Sequence, residues 1–345
     1  MRTLLVTGAA GFIGCNFVKM ALARNYKVIG FDALTYAGHR ENLEGSGPNF
    51  TFLEADIRDA GAVRSALAEH QPQAVLNFAA ESHVDRSITN PLLFVETNVL
   101  GTANLLQQSL EFWSHLSADE KSAFRYLQVS TDEVFGSLGE TGKFSEVTPL
   151  DPRSPYSASK TGADLLVSAW HHTYKLPTVT TRCSNNYGPF QYPEKLIPHL
   201  VHCAVAGQPL PVYGQGENVR DWIHVEDHCE GILLALEKGR PGASYCFGGN
   251  AERRNIDLVK DLCSILDELR PKKGGGSYTE QISFVRDRLG HDWRYAIDDT
   301  LATEELGFRR KHQLAEGLKK TVAWYLAHEA WRDKVLAKSS MGEKK

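Results

Sequence analysis

No apolar run in this 345-residue chain approaches the roughly 20 residues that a membrane-crossing helix needs. The residues before the first glycine, MRTLLVT, contain no apolar segment of the kind that leads a chain into secretion. Positive charge is not in excess either. The formal net charge of −4 gives no broad basic field for a nucleic acid or an anionic membrane surface. The six cysteines (Cys15, Cys183, Cys203, Cys229, Cys246 and Cys263) include no C-x-x-C pair and sit inside apolar segments. Buried thiols in a reducing compartment are therefore expected, rather than a disulfide framework or a zinc site. No internal repeat is visible. From these absences a cytoplasmic protein is expected, with neither nucleic acid nor membrane as a partner.

What is present is an alternation. Apolar runs at 4–7, 27–31, 50–53, 74–78 and 125–130 read as strands, and 11–24, 60–70 and 91–113 carry helical spacing between them. A long helix at 155–174 and a strand at 178–182 follow. Strand and helix alternating at this interval predict an α/β fold: a doubly wound parallel sheet covered on both faces. After about Ser184 the pattern loosens into loops rich in Pro, Gly and Asn (185–193 and 207–216) between shorter elements. The division expected is a dinucleotide-binding domain over 1–184, a smaller mixed α/β lobe over 185–335 that mainly binds substrate, and a tail over 336–345. Residues 272–277 (KKGGGS) read as a surface loop, 314–328 as an amphipathic helix and 338–345 as a frayed end.

The segment Val6-Thr7-Gly8-Ala9-Ala10-Gly11-Phe12-Ile13-Gly14 follows a strand and opens a helix. Gly8 permits a tight turn, Gly11 lets the backbone approach a pyrophosphate, and Gly14 lets helix and strand pack closely. The helix N-terminus offers free N–H donors to phosphate. Glycine trios have many structural uses, so the context has to carry the reading. Asp32 ends the second strand, where a carboxylate takes both ribose hydroxyls and repels a 2′-phosphate, which favours NAD over NADP. Asp56-Ile57 closes the third strand where an adenine is contacted, and Phe78-Ala79-Ala80 closes the fourth with small residues beside the cofactor.

Tyr156 and Lys160 are four apart on the 155–174 helix and share a face. Alone, such a pair is usually surface decoration. After the fifth strand of a dinucleotide fold it becomes an oxidation site, with the lysine ammonium and a positive nicotinamide lowering the phenol pKa so that Tyr156 removes a hydroxyl proton. Thr131 is placed to hydrogen-bond the reacting oxygen. Asp132 and Glu133 need another explanation, since oxidation requires neither. As a helix cap with solvated acids they are unremarkable. As an acid/base pair they perform an elimination. Once C4 of a hexose is a ketone, Glu133 removes the C5 proton and Asp132 protonates the departing C6 hydroxyl.

The Gly-x-x-Gly-x-x-Gly spacing resembles the extended short-chain dehydrogenase/reductases, whose nucleotide-binding part is a Rossmann domain. Longer stretches resemble, over about residues 1–330, the dTDP-glucose 4,6-dehydratase family of deoxysugar biosynthesis. They are FDALTYAG (31–38), AAESHVDRSI (79–88), STDEVFG (130–136), SPYSASK (154–160), RCSNNYGPFQYPEKLIP (182–198), VRDWIHVEDHC (219–229) and RYAID (294–298). The resemblance implies that Ala33, Leu34 and Thr35 adjoin Asp32 at the adenosine. It implies Thr97 and Asn186 at the cofactor, Ser82 near cofactor and substrate, and Asn185 at the substrate. Lys195, Leu196, Pro211, Val212, Tyr213, Arg220, Asn255, Asp287, Arg288 and His291 would hold a nucleotide diphosphate. It implies NAD, a nucleotide-sugar substrate with dTDP-glucose foremost, and a homodimer joined through 91–113 and 155–174.

Three positions depart from the family pattern: Phe135 for a tyrosine, Ala33 for a lysine, and Leu289 for a proline in the nucleotide pocket. The last leaves the base open, so UDP-glucose is the alternative substrate. A sugar-nucleotide 4-epimerase on this scaffold has no use for Asp132 and Glu133, and a non-catalytic NAD sensor has no use for Thr131, Tyr156 and Lys160. His171-His172 point about 100° apart on a helix and are expected to be exposed rather than metal-binding. His83 and Asp85 are expected to shape the active-site loop, and Trp222 and Trp293 to be packing anchors.

Overall fold

A computed structural model describes residues 2–342, with side chains to residue 337. The apolar runs become strands β1 (Thr3–Thr7), β2 (Lys27–Asp32), β3 (Phe50–Glu54), β4 (Ala74–Asn77), β5 (Arg125–Thr131) and β6 (Thr178–Cys183). Beyond them lie β7 (Asn185–Tyr187), β8 (Leu210–Tyr213), β9 (Val219–His224), β10 (Ser244–Phe247), β11 (Glu252–Arg254) and β12 (Ile282–Val285). Seven strands form one sheet in the order β10-β6-β5-β4-β1-β2-β3, each neighbouring pair parallel. One face is covered by helices Phe12–Ala23 and Val225–Lys238, the other by Ala60–His70, Gly101–Ser114 and Pro155–Tyr174. The strand order reverses between β1 and β4, so a crevice opens at their carboxyl ends.

The expected boundary at residue 184 does not divide the sheet from the rest. β10 and the helix Val225–Lys238 come from the second half of the chain and complete the large sheet and one of its layers. The smaller lobe contains a three-stranded sheet, β11-β9-β7, and the pair β12-β8. Helices Leu196–Val205, Asn255–Leu269 and Leu314–Ala327 pack over a separate core built on Trp222, Leu262 and Tyr325.

Local chemistry accounts for the key helix. Pro155 occupies its first turn, where a missing N–H costs nothing, and Ser154 and Ser157 form a reciprocal cap. The expected 91–113 helix is interrupted. Pro91–Phe94 runs into a wide π-type turn, Val95–Leu100, before Gly101–Ser114 resumes. The reason lies at Asn98, which is buried and bonded to Glu81 and Ser159. The tail expectation also changes, because a helix covers Glu329–Gly342; residues 343–345 lie outside those described. All six cysteines are buried and unpaired. His171 is half-buried rather than exposed, with Nδ1 3.0 Å from the Leu176 carbonyl oxygen, and His172 is exposed. Among the described residues no helix is long and apolar enough to cross a membrane.

Candidate active site

Two adjoining cavities occupy the crevice. The first, about 450 Å³, is lined by Asp32, Ala33, Thr35, Asp56, Ile57, Ala79 and Thr97, and shares Gly8, Gly11, Phe78 and Ala80 with the second. The turn between β1 and its helix leaves no room for side chains. A Cβ on Gly8, whose φ is +65°, would meet the Ala79 nitrogen at 2.6 Å, and one on Gly14 would meet the Gly8 carbonyl oxygen at 2.1 Å. Asp32 sits at the end of β2 with Oδ2 accepting from the Ala10 N–H at 2.9 Å and Oδ1 from the Leu34 N–H at 2.8 Å. A glycine cradle, a helix N-terminus and a fixed carboxylate fit a dinucleotide of the NAD type. Leu34 lines neither cavity. It supports Asp32 through its backbone from a left-handed conformation.

The second cavity, about 310 Å³, brings together Phe12, Ile13, Gly14, Ser82, Thr131, Asp132, Glu133, Tyr156, Lys160, Asn185, Asn186, Lys195 and Leu196. β5 ends in Thr131, whose hydroxyl accepts from the Glu133 N–H at 3.3 Å and thereby caps the short turn Asp132–Phe135. Capping and chemistry thus coexist at this position. The Thr131 hydroxyl also lies 3.3 Å from Asp132 Oδ1, while Oδ2 has no partner among the described residues. Lys160 Nζ donates to the Val129 carbonyl at 2.8 Å.

Charge divides the two acids. Asp132 is buried, and burial with the neighbouring Glu133 and Asp221 carboxylates pushes its carboxyl well above the ordinary range. Glu133 is also raised by burial, but Lys195, Arg220 and Arg288 all oppose the shift. Asp132 is thus raised more strongly than Glu133, which makes Asp132 the better proton holder and Glu133 the better acceptor of the pair. The protein's own groups do not lower the Tyr156 phenol. Burial and Glu133 raise it well above the usual value, and a Thr131 hydrogen bond only partly offsets them. Lys160 is itself lowered by burial, with Asp164 opposing.

A third cavity, about 340 Å³, extends outward from Glu133 past Asn185, Lys195, Leu196, Pro211, Tyr213, Arg220, Asn255, Arg288 and His291. Arg220 is buried, donating to the carbonyls of Val219, Asp292 and Trp293, with its guanidinium 4.3 Å from the Tyr295 ring centroid. Two residues expected here lie outside it. Val212 points into the lobe core, because alternate residues of β8 face opposite ways, and Asp287 instead holds His291 Nδ1 at 2.7 Å. Asp85 accepts from Arg288 at 2.6 Å and from the Tyr213 hydroxyl at 3.2 Å. Burial lowers His83 to about 4. Trp222 is buried and lines the cavities, whereas Trp293 is 44% exposed and is not a packing anchor. Leu289 is exposed, and Phe135 stacks on Phe144 with a 5.1 Å centroid separation.

Several residues at or beside the site were given no role by the sequence reading. Asn98 accepts from the Glu81 N–H at 2.8 Å and donates to the Glu81 carbonyl at 3.0 Å and to Ser159 Oγ at 2.8 Å. Cys183 is paired in register with Thr131 on the adjoining strand and lines the reaction cavity. Gln191, Tyr192 and Glu194 wall it from the smaller lobe. Away from the crevice, His224, Glu226 and His312 lie close enough to suggest a metal. However, the two imidazoles stack at 4.0 Å instead of converging, and His312 spans Asp227 at 3.0 Å and Glu226 at 3.3 Å. Those carboxylates raise His312 to about 9, so the group is an ion-paired link between helix and loop.

A doubly wound sheet with a glycine cradle, and with Thr131, Tyr156 and Lys160 at its carboxyl edge, defines an enzyme of the extended short-chain dehydrogenase/reductase class. A family model described as GDP-mannose 4,6 dehydratase matches residues 5–321. The chain is 54% identical over 339 residues to a dTDP-glucose 4,6-dehydratase of Xanthomonas campestris pv. campestris, covering 97% of this chain and 96% of the relative. It is 47% identical to dTDP-glucose 4,6-dehydratase 1 of Escherichia coli, covering 96% and 95%. The crystal structure of DesIV, a dTDP-glucose 4,6-dehydratase from Streptomyces venezuelae with NAD bound, superposes with a TM-score of 0.88 at 44% identity, covering 97% of this chain and 100% of that one. The chain belongs to the dTDP-glucose 4,6-dehydratase family.

Proposed function

We propose that this protein is an NAD-dependent hydro-lyase that converts dTDP-glucose to dTDP-4-keto-6-deoxyglucose. The observation that carries the reading is the unequal setting of Asp132 and Glu133 beside Tyr156 and Thr131. Residues 1–184 supply most of the NAD site and 185–335 most of the sugar-nucleotide site. Gly8, Gly11 and Gly14 hold the pyrophosphate, Asp32 the ribose, and Asp56, Ile57 and Thr97 the adenine end. Bound NAD supplies the acceptor and later the donor of the hydride, and its positive ring favours the phenolate of Tyr156.

Thr131 holds the sugar O4 and Tyr156 removes its proton. With C4 oxidised, the C5 proton is acidic. Glu133, whose rise on burial is opposed by Lys195, Arg220 and Arg288, takes it. Asp132, kept protonated by burial, gives its proton to the C6 hydroxyl, which leaves as water. Glu133 returns its proton to C5 as the hydride is delivered to C6, the C4 ketone stays in the product, and the proton taken by Tyr156 passes through solvent to restore Asp132. Arg220 and Arg288 face the diphosphate, where planar guanidinium groups pair well with phosphate oxygens.

The reading extends to a cytoplasmic homodimer. Leu92, Val95, Leu100 and Leu165 are exposed on the two helical segments 91–114 and 155–174, and this apolar surface supports an interface there. Incubation of purified protein with NAD and dTDP-, UDP-, GDP- or CDP-glucose tests activity and base preference together. The 4-keto-6-deoxy product from dTDP-glucose is expected, and epimerised sugar in its place overturns the assignment.

A further inference from the structure

Ala37 is common to the cofactor cavity and the reaction cavity, so the loop that carries it passes over the waist between them. Its neighbour Tyr36 is half-buried and donates its hydroxyl to Glu194 Oε1 at 3.0 Å. The Arg86 guanidinium lies 3.9 Å from the centre of the Tyr36 ring. Tyr192 meets the same ring edge-on at 5.8 Å and stacks on His39 at 5.5 Å. The loop after β2 is thus stitched to the segment 191–194, which is 158 residues away at the Tyr36–Glu194 bond.

Glu194 serves both sides of this join. Its side chain lines the reaction cavity and the outer nucleotide cavity. His83 Nε2 lies 3.8 Å from its second oxygen, and the adjacent Lys195 donates to the Ser82 carbonyl at 2.8 Å. Burial and the carboxylates of Glu194 and Glu81 keep the Tyr36 phenol protonated, so it remains a donor across the working pH range.

We propose that Tyr36 and Glu194 form a strap over the waist of the NAD site that holds the cofactor through the whole catalytic cycle. Tyr36 is a positioning residue, and Glu194 is the point where the substrate lobe grips it. The inference rests on the NAD-dependent reading above. It follows from the chemistry of that reaction. The hydride taken from C4 has to be returned to C6 of the same molecule, so loss of the cofactor between transfers strands a dehydrated, unreduced sugar. A charge-assisted hydrogen bond and a cation–π contact have to break before the loop lifts. Because Glu194 also walls the sugar cavity, a seated nucleotide restricts its withdrawal and slows cofactor release.

Release of NAD from loaded protein into NAD-free buffer, timed by rapid dialysis, tests the strap directly. Tyr36→Phe is expected to release NAD about tenfold faster or more, the scale set by one charge-assisted bond. Glu194→Leu should do the same, while Glu194→Gln, which keeps an acceptor, should stay within about threefold of the parent. Added dTDP should slow release from the parent and not from Tyr36→Phe. With C4-deuterated dTDP-glucose and unlabelled NADH in the buffer, the parent should move deuterium to C6 undiluted, and Tyr36→Phe should yield product with hydrogen there. A parent that never takes up NAD overturns the functional reading and the strap together. A parent that retains NAD beside Tyr36→Phe and Glu194→Leu variants that retain it equally overturns the strap alone.

Discussion

Asn98 donates to Ser159 Oγ at 2.8 Å, joining the widened turn Val95–Leu100 to the helix that carries Tyr156 and Lys160. The same side chain satisfies both backbone groups of Glu81, in the segment that follows β4. Asn98→Ala leaves these buried groups unpaired, at a cost of about 1–3 kcal/mol for each such group. Denaturant unfolding should show the loss of stability, and kcat should fall with it because the Tyr156 helix loses its lateral support.

Glu133→Gln should abolish exchange of the C5 proton with solvent while C4 oxidation continues. Solvent-deuterium incorporation followed by mass spectrometry separates the two steps. Retained exchange in this variant would remove Glu133 as the base.

Asp132→Asn should behave differently. C5 exchange persists, whereas water loss slows by about 10²–10⁴-fold, the usual scale for removing a general acid. Equal loss of both steps would show that the two carboxylates act as one unit. The raised carboxyl of Asp132 also sets a sign: activity should decline as alkali deprotonates the acid, and the alkaline limb should be lost in Asp132→Asn.

The pair formed by His312 with Asp227 and Glu226 makes a stability prediction. Its folded pKa of about 9 lies above the ordinary 6.5, so its contribution is fully present below about 6.5 and is lost as pH rises through 9. The Tm difference between parent and His312→Gln should therefore be largest near neutrality and shrink toward pH 9.5. A difference that grows with pH contradicts the pairing.

The parts of the site carried by one short segment were legible in the sequence. Gly8, Gly11 and Gly14 follow from the turn they make, and Tyr156 with Lys160 from helical spacing. What spacing does not contain is environment. Asp132 and Glu133 are adjacent in the chain, yet their different surroundings depend on Lys195, Arg288 and the consecutive pair Arg220 and Asp221, brought in from three other places. Asn98 was hidden because an Asn in an apparently regular helix carries no mark of the π-type turn around it. Tyr36 and Glu194 meet only after both lobes are built. Helical phase likewise places Lys160 on the face of Tyr156 but does not show that its ammonium goes to the Val129 carbonyl.

The seventh strand of the large sheet, β10, carries a consequence for how the chain can be made. Until residue 247 leaves the ribosome, β6 presents an unpaired edge, and the helix Val225–Lys238 that covers one face is missing. The nucleotide-binding half should therefore not fold as an autonomous unit. A fragment ending at residue 184 should expose that edge and the apolar face beside it, and aggregate.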